Sequence, residues 1–317
     1  MTPSINATAG DQSNKRVIVT GGASGIGYET ARAMLMAGAE VLIADLDHER
    51  GEHLARTLRQ EHKGARICFA NVNLADLNSV NRFCQIQLDQ GQPLDVLFNN
   101  AGIQPLSTRR ETVDGFELTF GIGHLGHFAL TARLLPLLLE SRASRVVTTS
   151  SLVHRQGRFD RDDLQMTRRY EAQRAYNQTK LANLLFAREL QRRMTLQHGH
   201  LTSYAAHPGV ARTAIGSNRQ RQGQLRWKDH LVGLTLSVIM PLLGQDADKG
   251  ALPLLHAATA RGIEPGILYG PGGFGEMKGT PSRSRMAPEA NDEELAQWLW
   301  RRSEELCHID FTLPVTA

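Results

Sequence analysis

The 317-residue chain has few cysteines and no long apolar run, and each absence excludes a class of protein. Its three cysteines, Cys68, Cys84 and Cys307, lie far apart without CxxC or metal-ligand spacing. This argues against a disulfide framework and favours reduced thiols. The longest apolar stretch, 230–243, is shorter than the roughly 20 residues that a spanning helix needs and contains Pro241. We therefore expect a cytoplasmic protein without a transmembrane segment, and leave peripheral membrane contact open.

The charges are nearly balanced, with 36 basic and 32 acidic residues spread along the chain. Without a basic tail or a lysine-rich cluster, nucleic acid is not an expected partner. Residues 1–14 lack the apolar core of a signal peptide and predict a disordered lead-in. The hydrophobic fraction of 41% is that of a globular protein with a sizeable core.

Short β-branched runs alternate with longer helical patterns, which predicts βαβ crossovers and a Rossmann-type, doubly wound parallel sheet of the α/β class. Nearly continuous apolar character is typical of strands covered on both faces. The predicted strands are 16–20, 40–44, 66–70, 95–99, 145–150 and 201–206, and the predicted helices are 25–37, 48–62, 76–90, 112–140, 172–196 and 292–306. We expect a single domain over 15–306, with an elaborated, loop-rich region at 207–290 that covers the substrate and a tail at 307–317.

A glycine-rich segment, TGGASGIG at 20–27, joins the first predicted strand to the first helix. Its spaced glycines let the backbone approach a pyrophosphate held at the helix N-terminus, where amide groups and the helix dipole favour anions. The position after a strand and before a helix predicts a dinucleotide site. The candidate cofactor-binding residues of this segment are Gly21, Ser24, Gly25, Ile26 and Gly27.

Asp45 ends the second predicted strand and bears on the choice of dinucleotide. A carboxylate at this place accepts hydrogen bonds from a ribose 2′-OH and repels a 2′-phosphate. Leu46 follows it, and Arg50 lies further on. The sequence therefore favours NAD(H) and leaves NADP(H) open.

Further short motifs follow the glycine-rich segment: NNAG at 99–102, TTSS at 148–151, YNQTK at 176–180 and HPGVART at 207–213. In this order they resemble the short-chain dehydrogenase/reductase family, over roughly residues 15–305. The phrases HLGHFALTARLLPLL, KLANLLFAREL and LWRRSEEL are similar to its retinol-dehydrogenase-like branch, which includes relatives of protochlorophyllide reductase. The resemblance implies an oxidoreductase that interconverts an alcohol and a carbonyl, with C=C reduction as an alternative.

The resemblance implies a catalytic role for Tyr176 as general acid/base. A free tyrosine, with a pKa of about 10, is a poor base near neutrality. Lys180, one helical turn along, is expected to lower that pKa through its charge and to bind the nicotinamide ribose. Ser151 is implied to hydrogen-bond the substrate oxygen, with Ser150 as the alternative.

Other cofactor contacts also follow from the resemblance. It places Asn99, Ala101 and Gly102 beside the cofactor ribose, and Pro208, Val210 and Thr213 around the nicotinamide carboxamide. Asn73 stands where the family usually has an aspartate for the adenine amino group, and its amide oxygen can accept the same hydrogen bond. The family likeness also implies a homodimer or homotetramer through the helices around 112–140 and 172–196.

Gly123 departs from the family pattern, because an asparagine that holds a relay water is usual at this position. Three alternatives remain: backbone carbonyls and a water carry the relay more slowly, His124 substitutes as a proton carrier, or the protein binds cofactor with little turnover. His124 and His127 lack a third ligand at convincing spacing, so no metal is expected. An apolar substrate is inferred from the branch and from a lid-like segment at 215–243.

Overall fold

The computed structural model of the chain describes residues 5–104, 106–210 and 245–311. Thr213, the apolar stretch at 230–243 and the lid-like segment at 215–243 lie outside the described residues. The fold below therefore concerns the Rossmann-type core and the C-terminal elements that pack on it.

The strands and helices follow the predicted alternation. The strands are β1 (Arg16–Thr20), β2 (Glu40–Asp45), β3 (Ile67–Asn71), β4 (Val96–Asn99), β5 (Arg145–Thr149), β6 (Thr202–Ala206), β7 (Leu268–Pro271) and β8 (Pro281–Arg283). The α-helices are α1 (Ile5–Ala9), α2 (Gly25–Met36), α3 (His48–Glu61), α4 (Leu77–Gln90), α5 (Leu118–Phe120), α6 (Gly126–Glu140), α7 (Ala172–Leu196), α8 (Ala247–Thr259) and α9 (Glu293–Cys307). A π-helical turn, Gly121–Leu125, joins α5 to α6.

One eight-stranded sheet runs in the order β3-β2-β1-β4-β5-β6-β7-β8. The first seven strands are parallel, and β8 pairs antiparallel with β7. This confirms the predicted Rossmann-type, doubly wound sheet. The chain winds outward from β1 to β3 and then crosses to β4, so a crevice opens at the carboxyl ends of β1 and β4.

Two predicted boundaries are wrong. The lead-in at 1–14 contains helix α1, in which Ala9 is buried and the carbonyl of Thr8 accepts a hydrogen bond from Thr259 Oγ1 at 3.1 Å. Packing against α8 thus orders residues that were expected to be disordered. The helix predicted for 112–140 begins at Leu118, since residues before it form a turn closed by Thr112 N donating to Phe116 O at 2.8 Å.

Within the described residues, one helical stretch, Leu118–Glu140, is long and apolar enough to cross a membrane. Its mean hydropathy is 1.3, and 72% of the most apolar window is buried inside the protein. The stretch packs between α4 and α7. Its apolar composition is therefore explained by its place in the core.

Helices α6, α7 and α9 share a buried aromatic cluster. Helix α9 packs across α7, and its Trp300 contacts Phe128 and Phe186 with ring centroids 5.2 and 5.8 Å apart. Phe311 closes the same cluster, 4.6 Å from the Trp300 ring. The cluster buries these side chains within the chain, and the oligomer interface expected around 112–140 and 172–196 stays a prediction.

Candidate active site

A cavity of about 610 Å³ lies at the carboxyl ends of the strands, at the switch in strand order. It brings together most of the residues that the sequence singled out. Those that line it are Gly21, Ser24, Gly25, Ile26, Gly27, Asp45, Asn73, Ala101, Gly102, Ser150, Ser151, Tyr176, Lys180, Pro208 and Val210. Asn100, Gly209, Arg50, Ile122 and Thr149 also line it, although the sequence did not single them out as site residues.

The glycine-rich segment forms one end of the cavity. Gly21 and Gly25 have left-handed backbones, with φ of +65° and +52°, which glycine adopts without strain. A Cβ at Gly27 would collide with the carbonyl of Gly21 and the side chain of Asn100. The Ser24 side chain makes no capping hydrogen bond, so the first amide groups of α2 keep the free donors that an anion site needs.

Asp45 is held rigidly at the end of β2. Its Oδ2 accepts a hydrogen bond from Ala23 N at 3.0 Å, and its Oδ1 accepts one from Asp47 N at 3.1 Å. Arg50 also lines the cavity, at the start of α3. A fixed carboxylate and a guanidinium thus line the part of the cavity where the sequence predicts the adenosine half of a dinucleotide.

Asn73 lies after β3 and lines the same part of the cavity. Its Oδ1 accepts a hydrogen bond from Ala75 N at 3.0 Å, which fixes the side chain in a turn. An amide oxygen has two acceptor sites, so one of them stays available to a ligand.

Asn99 does not line the cavity, although the family resemblance places it beside the cofactor ribose. Its side chain is fully buried and donates from Nδ2 to Thr131 Oγ1 at 2.9 Å. Asn100 lines the cavity instead, and its Nδ2 donates to the carbonyl of Thr20 at 2.9 Å. The side chains of adjacent strand residues point to opposite faces, so a one-residue difference decides which asparagine faces the cavity.

Thr20 and His127 hold the loop after β4, and the sequence reasoning missed both. Thr20 Oγ1 accepts hydrogen bonds from Asn100 N at 2.9 Å and Ala101 N at 3.0 Å. His127 Nε2 lies 2.9 Å from that hydroxyl, and its Nδ1 lies 3.2 Å from the carbonyl of Gly123. Since a carbonyl only accepts, Nδ1 carries the proton. Burial lowers the pKa of His127 to about 4, so a neutral imidazole links the loop to the π-helical turn.

Tyr176, Ser151 and Lys180 line one end of the cavity. The Ser151 side chain lies close enough to the Tyr176 hydroxyl to lower its pKa. Lys180 Nζ lies 5.6 Å from the centre of the Tyr176 ring and donates to the carbonyl of Thr149 at 3.2 Å. A proton donor, a second hydroxyl and an amine therefore share one wall.

The expectation that Lys180 lowers the pKa of Tyr176 is wrong for the structure as it stands. Burial raises the pKa of Tyr176, and the nearby Ser151 side chain opposes this only in part. Burial also lowers the pKa of Lys180 to about 8. Loss of hydration disfavours both charged forms. Tyr176 is therefore a protonated acid at neutral pH.

Ser150 and Ser151 have different surroundings, which bears on the alternative between them. The Ser150 hydroxyl donates to the main-chain carbonyl of Lys180 at 2.7 Å, and its backbone N donates to Ala206 O at 2.8 Å. Ser151, the next residue, interacts with Tyr176. The geometry therefore assigns Ser150 to the scaffold and favours Ser151 as the substrate-binding hydroxyl.

Gly123 lies in the π-helical turn against α7. A Cβ at this position would lie 2.6 Å from Thr179 Cγ2, so the threonine methyl fills the space that a side chain would need. Thr179 is fixed, because its Oγ1 donates to the carbonyl of Ala175 at 2.8 Å. Thr179 thus fills the space that an asparagine side chain at position 123 would need.

His124 does not face the cavity. Its Nε2 lies 2.9 Å from Ser303 Oγ on α9, and its ring packs against Phe120 and Phe186. Burial lowers its pKa to about 3, so the ring stays neutral at physiological pH. The alternative in which His124 carries protons for Lys180 is therefore contradicted.

Comparison with known proteins identifies the family of the chain. The family model for the short chain dehydrogenase matches residues 15–224. Mouse retinol dehydrogenase 12 is 38% identical over 94% of this chain and 87% of its own length, and human retinol dehydrogenase 13 is 38% identical over 93% and 85%. The chain belongs to the short-chain dehydrogenase/reductase family. Within it the chain is retinol-dehydrogenase-like, an oxidoreductase that acts between alcohol and carbonyl with an NAD(P)(H) cofactor.

Solved structures support the same fold. An uncharacterised protein from Mycobacterium paratuberculosis has a TM-score of 0.79 and 35% identity, over 99% of this chain and 100% of that one. The Pseudomonas aeruginosa RhlG/NADP active-site complex has a TM-score of 0.63 at 21% identity, over 84% and 96%. The second likeness concerns the fold alone.

Proposed function

We propose that this protein is an NAD-dependent oxidoreductase that interconverts an alcohol and a carbonyl on an apolar small molecule. The observation that carries the proposal is that Ser151, Tyr176 and Lys180 line one wall of a cavity whose other end is the glycine-rich segment, with Lys180 Nζ 5.6 Å from the centre of the Tyr176 ring. A hydride donor or acceptor and a proton donor would then meet at one carbon–oxygen bond.

Each catalytic side chain has a distinct task in this proposal. The nicotinamide, when bound, supplies or accepts the hydride. Tyr176, kept protonated by burial, donates its proton to the carbonyl oxygen in reduction and takes it back in oxidation. Ser151 donates a hydrogen bond to the same oxygen, and Lys180 binds ribose hydroxyls and returns the proton to Tyr176.

NAD(H) is the proposed cofactor because of the electrostatics around the ribose. Both oxygens of Asp45 are fixed by backbone amides, so the carboxylate cannot turn away from a 2′-phosphate. Arg50 also lines the cavity and leaves room for NADP(H) as the weaker substrate. Thr213, proposed by resemblance to frame the carboxamide, joins Pro208 and Val210 in this role.

An apolar substrate is proposed from the described wall of the cavity, where Ile103, Ile122 and Val210 contribute branched aliphatic side chains. Such a wall removes water from an apolar ligand and gains free energy in proportion to the area covered. We also propose one catalytic domain over 15–306, a cytoplasmic location and a homodimer or homotetramer that associates through the helices around 112–140 and 172–196.

A second candidate function is cofactor binding with little turnover. The observation that favours it is Gly123, which has no side-chain amide to hold a relay water and whose missing Cβ would lie 2.6 Å from Thr179 Cγ2. Reduction of a C=C bond is a third candidate within the same family.

The test is turnover of the purified protein with NAD(H) and NADP(H) on a panel of apolar alcohols, aldehydes, ketones and enones. We expect alcohol–carbonyl interconversion, with kcat falling about 100-fold in Ser151→Ala while NADH affinity is kept. Ser150→Ala is the matched control: it removes a structural hydrogen bond and should lower the melting temperature more than kcat. Tight NADH binding without turnover on any substrate would support the second candidate, and saturated products from enones would support the third.

A further inference from the structure

His207 lies buried directly before the loop Pro208–Val210 that lines the cavity. The backbone N–H of Gly209 donates to His207 Nδ1 at 3.1 Å, so this nitrogen carries no proton. Burial lowers the pKa of His207 to about 4, and the ring is neutral with its proton on Nε2. That Nε2 lies 2.9 Å from Ser284 Oγ and 3.4 Å from Glu276 Oε2.

His154 contacts the backbone of Ser151, and its two ring nitrogens have the opposite roles to those of His207: Nε2 accepts and Nδ1 donates. The backbone N–H of Ala287 donates to His154 Nε2 at 3.2 Å, so the proton of the neutral ring lies on Nδ1. Nδ1 donates it to the carbonyl of Ser151 at 2.6 Å. Through His154, the backbone of the proposed substrate-binding serine is therefore linked to the segment at 274–287. The loop at 208–210 is linked to the same segment through His207.

Glu276 joins the two arms. Its Oε2 accepts a hydrogen bond from Arg155 Nη2 at 2.6 Å, and its Oε1 accepts one from the backbone N–H of Arg285 at 3.2 Å. Arg155 directly follows His154 in the chain and also donates to the carbonyl of Arg285 at 3.1 Å. Burial opposes ionisation of Glu276, but these hydrogen bonds and the charge of Arg155 lower its pKa overall.

The backbone at Glu276 is left-handed, with φ of +56°. Residues other than glycine rarely adopt this region and do so at a cost in free energy. Met277 follows, and its carbonyl accepts a hydrogen bond from Val210 N at 3.0 Å. The unfavourable conformation is thus held at the point where the carboxylate meets Arg155 and His207 and the backbone meets the cavity loop.

We infer that Glu276 is a positioning residue of the active site. Through His207 it fixes the loop Pro208–Val210, and through Arg155 it fixes the segment from which His154 holds Ser151. The nicotinamide-binding loop and the substrate-binding serine therefore keep their relative position because one carboxylate accepts from Arg155 at 2.6 Å and contacts His207 Nε2 at 3.4 Å. The inference rests on the proposed function, which assigns the nicotinamide and the substrate to these two places.

The substitution Glu276→Gln tests the inference, because an amide places a donor where the carboxylate accepts from Arg155 or from Arg285. One buried donor then loses its partner, and we expect the dissociation constant for NADH to rise about tenfold. ADP-ribose, which lacks the nicotinamide, should bind as it does to the unchanged protein. Glu264→Gln is the matched control, since Glu264 pairs with the exposed Arg283 at 2.8 Å and should leave both affinities unchanged.

A second variant separates positioning from folding. Glu276→Gly removes the carboxylate but accepts the left-handed backbone without strain, so its melting temperature should fall no further than that of Glu276→Gln while NADH binding weakens to the same extent. Equal weakening of NADH and ADP-ribose, or unchanged NADH affinity in both variants, would overturn the inference. Because the readout is binding, a wild-type protein without turnover would overturn the proposed catalysis alone. A wild-type protein that binds neither ligand would overturn both.

Discussion

Tyr176 and Lys180 lie one helical turn apart, and burial rather than their mutual attraction sets the direction of both pKa shifts. A phenol kept protonated is suited to donate a proton to a carbonyl oxygen, which favours reduction at neutral pH. An amine with a pKa of about 8 can exchange its proton near that pH. The residues therefore suit the proposed chemistry for a reason different from the expected electrostatic lowering of the phenol pKa.

Gly123 and Thr179 give a prediction at the same scale. Gly123→Asn alone should lower stability without a gain in rate, because its Cβ would lie 2.6 Å from Thr179 Cγ2. In the pair Gly123→Asn with Thr179→Ser, the serine keeps the hydroxyl and removes the methyl. We expect this pair to raise kcat about tenfold, if the missing amide limits proton return to Lys180.

The control for this prediction is Gly123→Ala with Thr179→Ser, which adds the same Cβ without the amide. Steady-state kinetics and melting temperatures of the variants separate packing from proton transfer. An equal rate gain with alanine would mean that helix stiffening, and not the amide, is responsible.

At the scale of elements, β1 to β6 could be predicted within about one residue because buried strands carry nearly continuous apolar runs. The short strands β7 and β8 and the helix α8 fell in the region expected to be loop-rich. β7 and β8 are set by pairing at the edge of the sheet, which local pattern does not encode. Helix α8 contains Pro253, which weakens a helical pattern.

The site was predictable to a similar extent. Motifs found the glycine-rich segment and the pair Tyr176 and Lys180, since these depend on local spacing. His127 and Glu276 act through partners distant in the chain, Thr20 and His207, so no spacing signals them. The sequence pattern around helix α6 did not predict the π-helical turn that precedes it.

The end of β2 carries a prediction on cofactor choice. Asp45→Ser should remove the negative charge while a hydroxyl remains to accept from Ala23 N. We expect the ratio of kcat/KM for NADP(H) to that for NAD(H) to rise at least tenfold, because repulsion of the 2′-phosphate is lost and Arg50 stays. Glu49→Gln neutralises an exposed carboxylate in the same region and should leave the ratio unchanged. An unchanged ratio in Asp45→Ser would exclude Asp45 as the determinant.

At the scale of the whole molecule, buried neutral histidines make stability depend on pH. Burial lowers the pKa of His124 from 6.5 to about 3 and that of His127 to about 4. Below pH 6.5 the unfolded chain binds protons that the folded chain excludes, so the free energy of unfolding falls as the pH falls towards 4. Each histidine should contribute on the order of 3 kcal/mol to this loss.

Chemical denaturation from pH 7 to pH 4 measures this dependence, and His124→Phe isolates one contribution. The phenylalanine keeps the aromatic packing against Phe120 and Phe186, and Ser303 Oγ keeps its bond to the carbonyl of Leu299 at 2.8 Å. The variant should lose less stability than the wild type over this range. Parallel curves would show that His124 does not titrate on unfolding.

The most direct test of the account compares Tyr176→Phe with Tyr170→Phe. Tyr170 is the matched control, because its hydroxyl donates to the carbonyl of Leu106 at 3.1 Å and does not line the cavity. Tyr176→Phe should lower kcat about 1,000-fold and leave the dissociation constant for NADH within about twofold, because only the proton donor is removed. Tyr170→Phe should keep kcat. Turnover by Tyr176→Phe at a rate close to that of the wild type would contradict the assignment of Tyr176 as the acid and base of the reaction.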